Sequence, residues 1–183
     1  MAVFQTAETH NLRIREFVQN DRDSLLDFVR TPGQLRYMMF NMETEKDVDD
    51  LLSYAKGQIL SAGRIEWHFA IEEKDRDGCI GGVALMKKSE SDTSAEIGYW
   101  LKQPYWGKGY ATEASMFMLE FGFKNLGLHR IWGKCHIDNT ASAKVMEKLG
   151  MTFEGKIREH VWLRDHWRSS LQFSILESEF TIK

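Results

Sequence analysis

Apolar and polar residues alternate along several short stretches of the chain, and this period of two predicts β-strands. The stretches expected to form strands are 12–15, 67–71, 80–86, about 95–101, 130–136, 159–163 and 171–175. Asp75-Arg76-Asp77-Gly78 lies between the second and third of them and supplies residues typical of a tight turn. These two strands are therefore predicted to form a hairpin.

Other stretches repeat their apolar residues every three or four positions, which predicts helices. Four are expected: one opening at Asn20 or Asp21 with Leu25, Phe28 and Val29 on one face, one from about Glu45 to Leu60, one from about Tyr110 to Leu126, and one from Thr140 to Leu149. The resulting order, β-α-α-β-β-β-α-β-α-β-β, predicts an α/β (α+β) fold. It contains an antiparallel meander followed by a βαβ-like crossover. We find no linker or internal repeat, so residues 1–183 are expected to form a single domain.

Composition narrows the class of protein. The 183 residues are 43% hydrophobic and 28% charged, with a net charge of −3, which gives no broad attraction to nucleic acid or anionic membranes. No apolar run approaches the roughly 20 residues that span a bilayer, and the first ten residues do not resemble a secretory signal. The two cysteines, Cys79 and Cys135, lie far apart in the sequence. We therefore expect a cytoplasmic protein without disulfides.

The clearest chemical signal is the turn Trp106-Gly107-Lys108-Gly109-Tyr110-Ala111, between a predicted strand and a long predicted helix. Helix N-termini carry unpaired N–H groups and a positive dipole end, and glycines let a bulky anion approach the backbone. Lys108 adds a cation, so the turn is suited to a pyrophosphate. The alternative is a plain strand-to-helix connection. The spacing fits neither a Walker turn nor a dinucleotide fingerprint.

This turn resembles motif A of the GCN5-related N-acetyltransferases (GNAT), Gln/Arg-x-x-Gly-x-Gly/Ala, with Trp106 in place of the usual Gln or Arg. The run from Asn139 to Met151 is similar to motif B of that family, and Ile80-Gly81-Gly82-Val83-Ala84 also fits. The likeness extends over nearly the whole chain. Within the family the sequence looks most like the RimJ/RimL type, which acetylates protein N-termini.

The resemblance implies a largely antiparallel sheet that splays open after the strand ending at Leu101, with helices on both faces. It further implies that acetyl-CoA lies in this gap, its pantetheine paired with backbone near Trp100 and Leu101. The residues that would hold the cofactor are then Trp100, Leu101, Trp106, Gly107, Lys108, Gly109, Tyr110, Ala111, Thr112, Asn139 and Ser142.

Acetyl transfer to an amine needs a base for the amine proton and a donor for the departing thiolate. Glu96 is the candidate base, because alternation puts it on the same strand face as Gly98 and Trp100. The alternative is a solvent-facing strand glutamate. Ser142 is the candidate acid or thiol-orienting group, since Met146 stands where much of the family has tyrosine. Ordinary helix capping by Asn139, with Ser142 in the first turn, is the alternative.

Nothing in the sequence predicts a metal site, because no Cys/His cluster has ligand spacing. Neither Cys79 nor Cys135 lies near the groups that activate a nucleophile, so both are interpreted as inert thiols. We therefore expect direct transfer through a ternary complex with acetyl-CoA.

The acceptor is less clear from the sequence. The apolar segment 35–42 and the helix after it form either core or a floor for the acceptor. A protein N-terminus is the leading acceptor, and a small amine is the alternative. A polyamine would require an acidic pocket, for which the candidates are Glu43, Glu45, Asp47, Asp49 and Asp50.

A second group of residues bears on the acceptor. Arg158, Arg164 and Arg168 cluster in sequence with Trp162 and Trp167, as a site for an acidic acceptor or as a solvated strand face. RimJ/RimL-like chains commonly carry Gly-x-Trp-x-Asp near this point, whereas residues 165–169 here read Asp-His-Trp-Arg-Ser. Because of this difference, the family resemblance does not by itself identify the acceptor of this chain.

Three further alternatives stay open from sequence alone. The chain could bind acetyl-CoA as a sensor or interaction module without turnover, or it could be a nucleotide-binding protein that binds mononucleotides as well as coenzyme A. It could act as a monomer or as a homodimer.

Overall fold

The computed structural model describes residues 6–38 and 42–181. Its strands are β1 (Thr6–Glu8), β2 (Leu12–Glu16), β3 (Glu66–Glu73), β4 (Gly81–Met86), β5 (Ser94–Leu101), β6 (Arg130–His136), β7 (Thr152–Leu163) and β8 (His166–Leu176). Its α-helices are α1 (Arg22–Arg30), α2 (Glu45–Leu60), α3 (Tyr110–Lys124) and α4 (Thr140–Lys148). The predicted order of elements is confirmed from β2 to β8.

The strands form one eight-stranded sheet in the order β1-β2-β3-β4-β5-β6-β8-β7. Every neighbouring pair is antiparallel except β5 and β6, which are parallel. These two strands pair only from Ser94 to Glu96 against Arg130 to Trp132, although β5 continues to Leu101. The sheet therefore opens a gap between β5 and β6, and the predicted splayed, largely antiparallel sheet is confirmed.

The sheet buries a separate core on each face, because successive side chains of a strand point to opposite sides. Phe69 and Ile71 of β3 pack with Ala114 and Met118 of α3, and α4 joins the same core. Ala70 of the same strand packs with α1 and α2 on the other face. Helices thus flank the sheet on both faces, as expected.

Several local details differ from the sequence interpretation. β1 was missed because it has only three residues and lies at the sheet edge. Asp21 precedes α1 but makes no side-chain cap; its carboxylate accepts hydrogen bonds from Arg15 and from the Val18 amide. Val29 packs only partly buried, and Leu26 is buried instead. Part of the apolar segment 35–42, residues 39–41, lies outside the described residues.

Two glycines at the start of β4 let β5 and its tryptophan approach closely. A Cβ on Gly81 would overlap the Trp100 carbonyl oxygen, and a Cβ on Gly82 would lie 2.5 Å from Trp100 Nε1. The Trp100 ring in turn packs 4.1 Å from the ring of Phe28 in α1. The glycines therefore position Trp100 between the sheet and α1.

We expect Gly81→Ala to lower the free energy of unfolding by about 1–3 kcal/mol, because the added methyl group overpacks against backbone that has no room to move. Urea denaturation measures this change. Gly57→Ala in α2 is the matched control, since no atom of the described residues, apart from the chain neighbours and the backbone of the helix itself, lies within 4 Å of where its Cβ would be. This control should stabilise the protein by about 0.5–1 kcal/mol through helix propensity. A Gly81→Ala protein as stable as the parent would contradict the close approach of β4 and β5.

Candidate active site

The turn between β5 and α3 has the backbone geometry that an anion site requires. Gly107 and Gly109 have φ values of 76° and 86°, in the left-handed region that favours glycine. Gly109 is the N-cap of α3, and the first bond of the helix runs from the Glu113 amide to the Gly109 carbonyl at 3.0 Å. The N–H groups just before Glu113 belong to the helix end that has no intrahelical partners. They present partial positive charge at the head of a 15-residue helix.

Lys108 and Tyr110 of this turn both contact Glu73 at the end of β3. Lys108 Nζ lies 3.3 Å from Glu73 Oε1, and the Tyr110 hydroxyl donates a hydrogen bond to the same oxygen at 2.7 Å. The Tyr110 bond lowers the pKa of Glu73 below its usual value, and the Lys108 ammonium adds to the effect. The charge of Lys108 is therefore partly matched by Glu73, whereas the amides at the start of α3 have no partner within the helix.

Trp106 closes the turn back onto β5. Its Nε1 donates to the Leu101 carbonyl at 2.7 Å, and Gln34 Nε2 donates to the same oxygen at 2.7 Å. Trp106 therefore holds the turn in place at the position where similar sequences carry Gln or Arg. The Leu101 carbonyl, predicted to meet the pantetheine, already accepts two hydrogen bonds.

The register of β4 and β5 shows which backbone groups point into the gap. The Lys102 amide donates to Ile80 O at 2.9 Å, and antiparallel partners alternate between bonded and non-bonded pairs. Trp100, opposite Gly82, thus directs its backbone toward β4. Tyr99 and Leu101 direct theirs toward the gap. The Trp100 indole instead lines the cavity described next.

A cavity of about 830 Å³ opens at this gap, and its two walls come from opposite faces of β5. Tyr99 belongs to the wall on the α3 and α4 side, and Glu96 to the wall on the α1 and α2 side. The predicted residues that line the cavity are Glu96, Trp100, Asn139 and Ser142. The glycine turn lies outside this set, at the end of β5.

Glu96 lies beside Lys134 of β6 in this cavity, with 3.6 Å between Lys134 Nζ and Glu96 Oε1. Burial raises the pKa of the Glu96 carboxyl above its ordinary value, and the Lys134 ammonium partly offsets that rise. About a third of the Glu96 side chain is exposed, at 32%. A carboxylate with a raised pKa that still reaches the cavity is suited to accept a proton.

Ser142, at the start of α4, lies on the cavity wall opposite Glu96. Its hydroxyl pairs with the hydroxyl of Tyr99. Its Oγ is 2.8 Å from Tyr99 Oη, and its amide donates to Asn139 Oδ1 at 3.1 Å. The capping role considered for Asn139 is therefore confirmed. Burial raises the pKa of Tyr99 well above its ordinary value, so the phenol keeps its proton and can donate to Ser142.

Both cysteines are buried thiols. Burial raises the pKa of Cys135, which lines the cavity, to about 11, and that of Cys79 to about 12. The thiolate is the nucleophilic form, and neither group forms it near neutral pH. This agrees with the interpretation of both residues as inert.

The acidic residues near α2 are already paired with other groups. Asp47 accepts hydrogen bonds from the amides of Glu43 and Thr44 as part of the helix cap. The remaining pairs are Glu43–Arg164, Glu45–Arg30, Glu45–Arg22, Asp49–Arg22 and Asp50–Lys46. The predicted acidic pocket for a polyamine therefore consists of carboxylates that have partners.

Sequence reasoning missed Tyr99 and Lys134 as parts of this site. Strand alternation alone places Tyr99 opposite Glu96 and Trp100, but the proximity of Tyr99 to α4 depends on the packing of the crossover. Lys134 reaches Glu96 because β6 runs parallel to β5 for three residues and then turns away. A lysine in a predicted strand gave no signal of that contact.

Across residues 6–38 and 42–181, no cluster of three or more His, Cys, Asp or Glu side chains is arranged to hold a metal ion. Over the same ranges, no helix combines the length and hydrophobicity that crossing a membrane requires.

The geometry agrees with comparisons to known proteins. The profile of the family described as acetyltransferase (GNAT) domain matches residues 11–152. This chain belongs to the GNAT acetyltransferase family. It is 31% identical over 172 residues to the uncharacterized N-acetyltransferase YnaD of Bacillus subtilis, covering 94% of this chain and 97% of that protein. The GNAT chain is therefore an acetyl-CoA-dependent N-acetyltransferase.

Other GNAT relatives bear different acceptor names. The ribosomal-protein-serine acetyltransferase of Escherichia coli is 28% identical over 104 residues, 56% of this chain and 58% of its own. Among solved structures, a GNAT acetyltransferase from Bacillus anthracis superposes with a TM-score of 0.83 at 28% identity, covering 96% of this chain and all of its own. The spermidine N-acetyltransferase of Vibrio cholerae, in complex with CoA and spermine, superposes with a TM-score of 0.80 at 20% identity, covering 93% and 98%. That last likeness concerns the fold alone.

Proposed function

We propose that this acetyltransferase transfers the acetyl group of acetyl-CoA to the α-amino group of a protein N-terminus. The observation that carries the proposal is the cavity at the β5–β6 gap. Glu96 lies on one wall and the Ser142–Tyr99 pair on the other, next to a glycine turn that heads α3. A base and a thiol-facing donor on opposite sides of one gap are what direct transfer requires.

In this proposal the diphosphate of acetyl-CoA binds the amides from Gly107 to Thr112. The positive end of α3 and the open space around Gly107 and Gly109 support this assignment. Among residues 6–38 and 42–181, no atom beyond the adjoining residues lies within 4 Å of where a Cβ would be at either glycine. The pantetheine then enters the gap between β5 and β6. There it pairs with the backbone N–H and C=O groups of Tyr99, which point into the gap. The thioester reaches Ser142, with Asn139 holding the start of α4.

Glu96 accepts the proton of the incoming amine, directly or through a water molecule. The amine nitrogen attacks the thioester carbonyl carbon, a C–N bond forms, and the C–S bond breaks. The sulfur leaves as a thiolate that accepts a hydrogen bond from the Ser142 hydroxyl, which Tyr99 orients. Lys134 disfavours a second cation beside Glu96, which promotes the neutral form of the amine.

An α-amine suits this site better than a polyamine. The pKa of an α-amine is near 8, against about 10.4 for a lysine amine. The free-energy cost of forming the neutral amine is therefore lower by about 3 kcal/mol. The acidic residues that a polyamine would need already pair with arginines, a lysine or a helix cap. Asp47 and Asp50 of this group line the cavity, and the wall beside them carries apolar side chains, among them Met38, Met42 and Leu51. The name of the Escherichia coli relative points in the same direction.

We expect peptides with an unblocked N-terminus to be acetylated about 100-fold faster at pH 7 than the same peptides with a blocked N-terminus and one lysine, following the fraction of neutral amine. Release of free CoA thiol gives the rate, and mass spectrometry locates the acetyl group. Spermidine serves as the comparison acceptor. If spermidine reacts as fast as the peptides, or if the acetyl group is found on lysine, the N-terminal proposal is wrong.

A further inference from the structure

A second cleft, of about 460 Å³, adjoins the active-site cavity and is strongly basic. Its basic side chains are Arg30, Arg36, Arg164, Arg168 and His166, and we call this site the basic cleft. They come from the end of α1, the segment after it, and the β7–β8 hairpin. Elements far apart in sequence therefore bring five basic residues to one place.

Only part of this charge is balanced within the protein. Arg30 pairs with Glu45, and Arg164 donates to Glu43 at 2.7 Å. Arg36 and Arg168, by contrast, have no carboxylate within salt-bridge distance in the parts of the chain that the structure describes. The Nε atom of Arg168 is buried and has no hydrogen-bond partner among those residues. A buried guanidinium N–H without an acceptor is costly, so the cleft has unused capacity for an anion.

His136, which contacts Arg168 of the basic cleft, also has more hydrogen-bond donors around it than it can accept from. Its Nδ1 lies 3.1 Å from the Asp138 amide, and its Nε2 lies 3.3 Å from Arg168 Nη1. Both partners are N–H donors, whereas a neutral imidazole offers only one acceptor nitrogen. One of the two contacts therefore brings two N–H groups together, whichever tautomer is present. The Asp138 carboxylate does not relieve this, since its Oδ2 lies 3.7 Å from Nδ1.

The basic cleft lies next to the acceptor side of the active site. Tyr37 lines the active-site cavity, and its ring centroid is 5.6 Å from that of His136. Ser170 of β8 also lines that cavity, and Arg168 is two residues away on the same strand face. Along β6, His136 is four residues beyond Trp132, the partner of Glu96, or about 13 Å at the usual rise per residue.

We propose that the basic cleft binds a carboxylate of the acceptor, so that the preferred substrate is an N-terminus with an acidic side chain within about its first four residues. An extended peptide covers about 3.4 Å per residue, so four residues span a length comparable to the roughly 13 Å along β6 from Trp132, the partner of Glu96, to His136. The carboxylate accepts hydrogen bonds from Arg36 and Arg168 and supplies the acceptor that this cluster lacks. This inference rests on the proposed N-terminal activity.

Paired peptides test the inference. One series carries Glu at residues 2, 3 or 4, the other carries Gln at the same positions, and all end in a C-terminal amide. We expect kcat/KM for the best Glu peptide to exceed that of its Gln partner by about tenfold or more, the range of a charge-assisted hydrogen bond. In Arg168→Gln and in Arg36→Gln, this ratio should fall toward one while the rate with the Gln peptide stays unchanged.

Lys124→Gln is the matched control, because it makes the same change of net charge at the end of α3 on the opposite face of the sheet. It should leave the Glu-to-Gln ratio as in the parent. Equal rates for Glu and Gln peptides in the parent would overturn the basic-cleft proposal and leave the N-terminal activity intact.

A binding measurement keeps the two proposals separable. Calorimetry of the same peptides against the protein saturated with CoA requires no turnover. If no peptide reacts but Glu peptides bind more tightly and Arg168→Gln removes the preference, the cleft proposal stands and the N-terminal activity is wrong. If a single amino acid with a C-terminal carboxylate shows the same dependence on Arg168, the carboxylate comes from a small acceptor. If neither reaction nor binding distinguishes Glu from Gln, the cleft proposal is wrong.

Discussion

Replacing Glu96 with glutamine should lower kcat about 10²- to 10⁴-fold at pH 7, the usual contribution of a general base. The KM for acetyl-CoA should change little, because Glu96 lies on the wall of the cavity opposite Ser142 and away from the glycine turn. Steady-state rates of thiol release, measured with a peptide acceptor, give both constants. A Glu96→Gln enzyme with the rate of the parent would exclude Glu96 as the base.

The pH profile separates a base from a residue that only shapes the cavity. Since burial raises the pKa of Glu96, the rate of the parent enzyme should fall as the pH drops through a value above that of an ordinary glutamate. Removing the nearby cation by Lys134→Met should move this acid limb to higher pH, because the ammonium now lowers the pKa. In Glu96→Gln the limb that belongs to Glu96 should be absent, which leaves only the fall in rate that follows protonation of the acceptor amine, whose pKa is near 8. An acid limb that stays in place in both variants would assign it to another group.

Stability gives an independent control for the same variant. A carboxyl whose pKa is raised on folding binds protons more tightly in the folded state, so it favours folding at low pH and loses that contribution as the pH rises through its folded pKa. Above its folded pKa, the ionised and buried Glu96 therefore lowers the free energy of unfolding. Glu96→Gln should have a Tm at or above that of the parent at neutral pH, which would rule out unfolding as the cause of its lost activity.

The outline of the fold could be predicted because each element carries a local signal. Thr44 caps the start of α2 through its own side chain, and Gly150, with φ of 78°, follows the end of α4. Both boundaries could be predicted because the residues that set them lie next to the helix ends. β1 lacked such a signal, since three exposed or half-buried residues form a strand only through pairing with β2. Edge pairing depends on the rest of the sheet, which the local pattern does not contain.

The site was predictable where its chemistry follows from the backbone and was missed where it follows from packing. The glycine turn could be recognised because positive φ values require glycine there. Tyr99 and Lys134 reach the cavity only through the crossover between β5 and β6. The β7–β8 hairpin that supplies Arg168 was also not predictable from local sequence. Arg164 and Asp165 adopt φ values of 51° and 58°, as a two-residue type I′ turn requires. They lack the Asn-Gly sequence that usually signals such a turn.

Replacing Gly109 with valine should raise the KM for acetyl-CoA at least tenfold, with a smaller effect on the KM for the peptide acceptor. Gly109 has φ of 86°, where a β-branched residue is strongly disfavoured, at a cost of about 1–2 kcal/mol or more. In the part of the chain that the structure describes, no atom beyond the adjoining residues lies within 4 Å of the added Cβ, so the new side chain would extend into the space assigned to the diphosphate. Both effects act on the amides of the turn. Initial rates at varied acetyl-CoA, together with the thermal shift produced by CoA, measure the loss.

Gly127→Val is the matched control for this change, because Gly127 also has a positive φ, of 61°, and open space around its Cβ, but lies beyond the C-terminal end of α3. It should lower Tm through the same backbone strain and leave the KM for acetyl-CoA unchanged. Comparing CoA with ATP and NAD in the thermal shift of the parent then tests whether the turn is specific for the coenzyme or accepts any diphosphate. If Gly109→Val and Gly127→Val have the same KM as the parent, the diphosphate binds somewhere other than the head of α3.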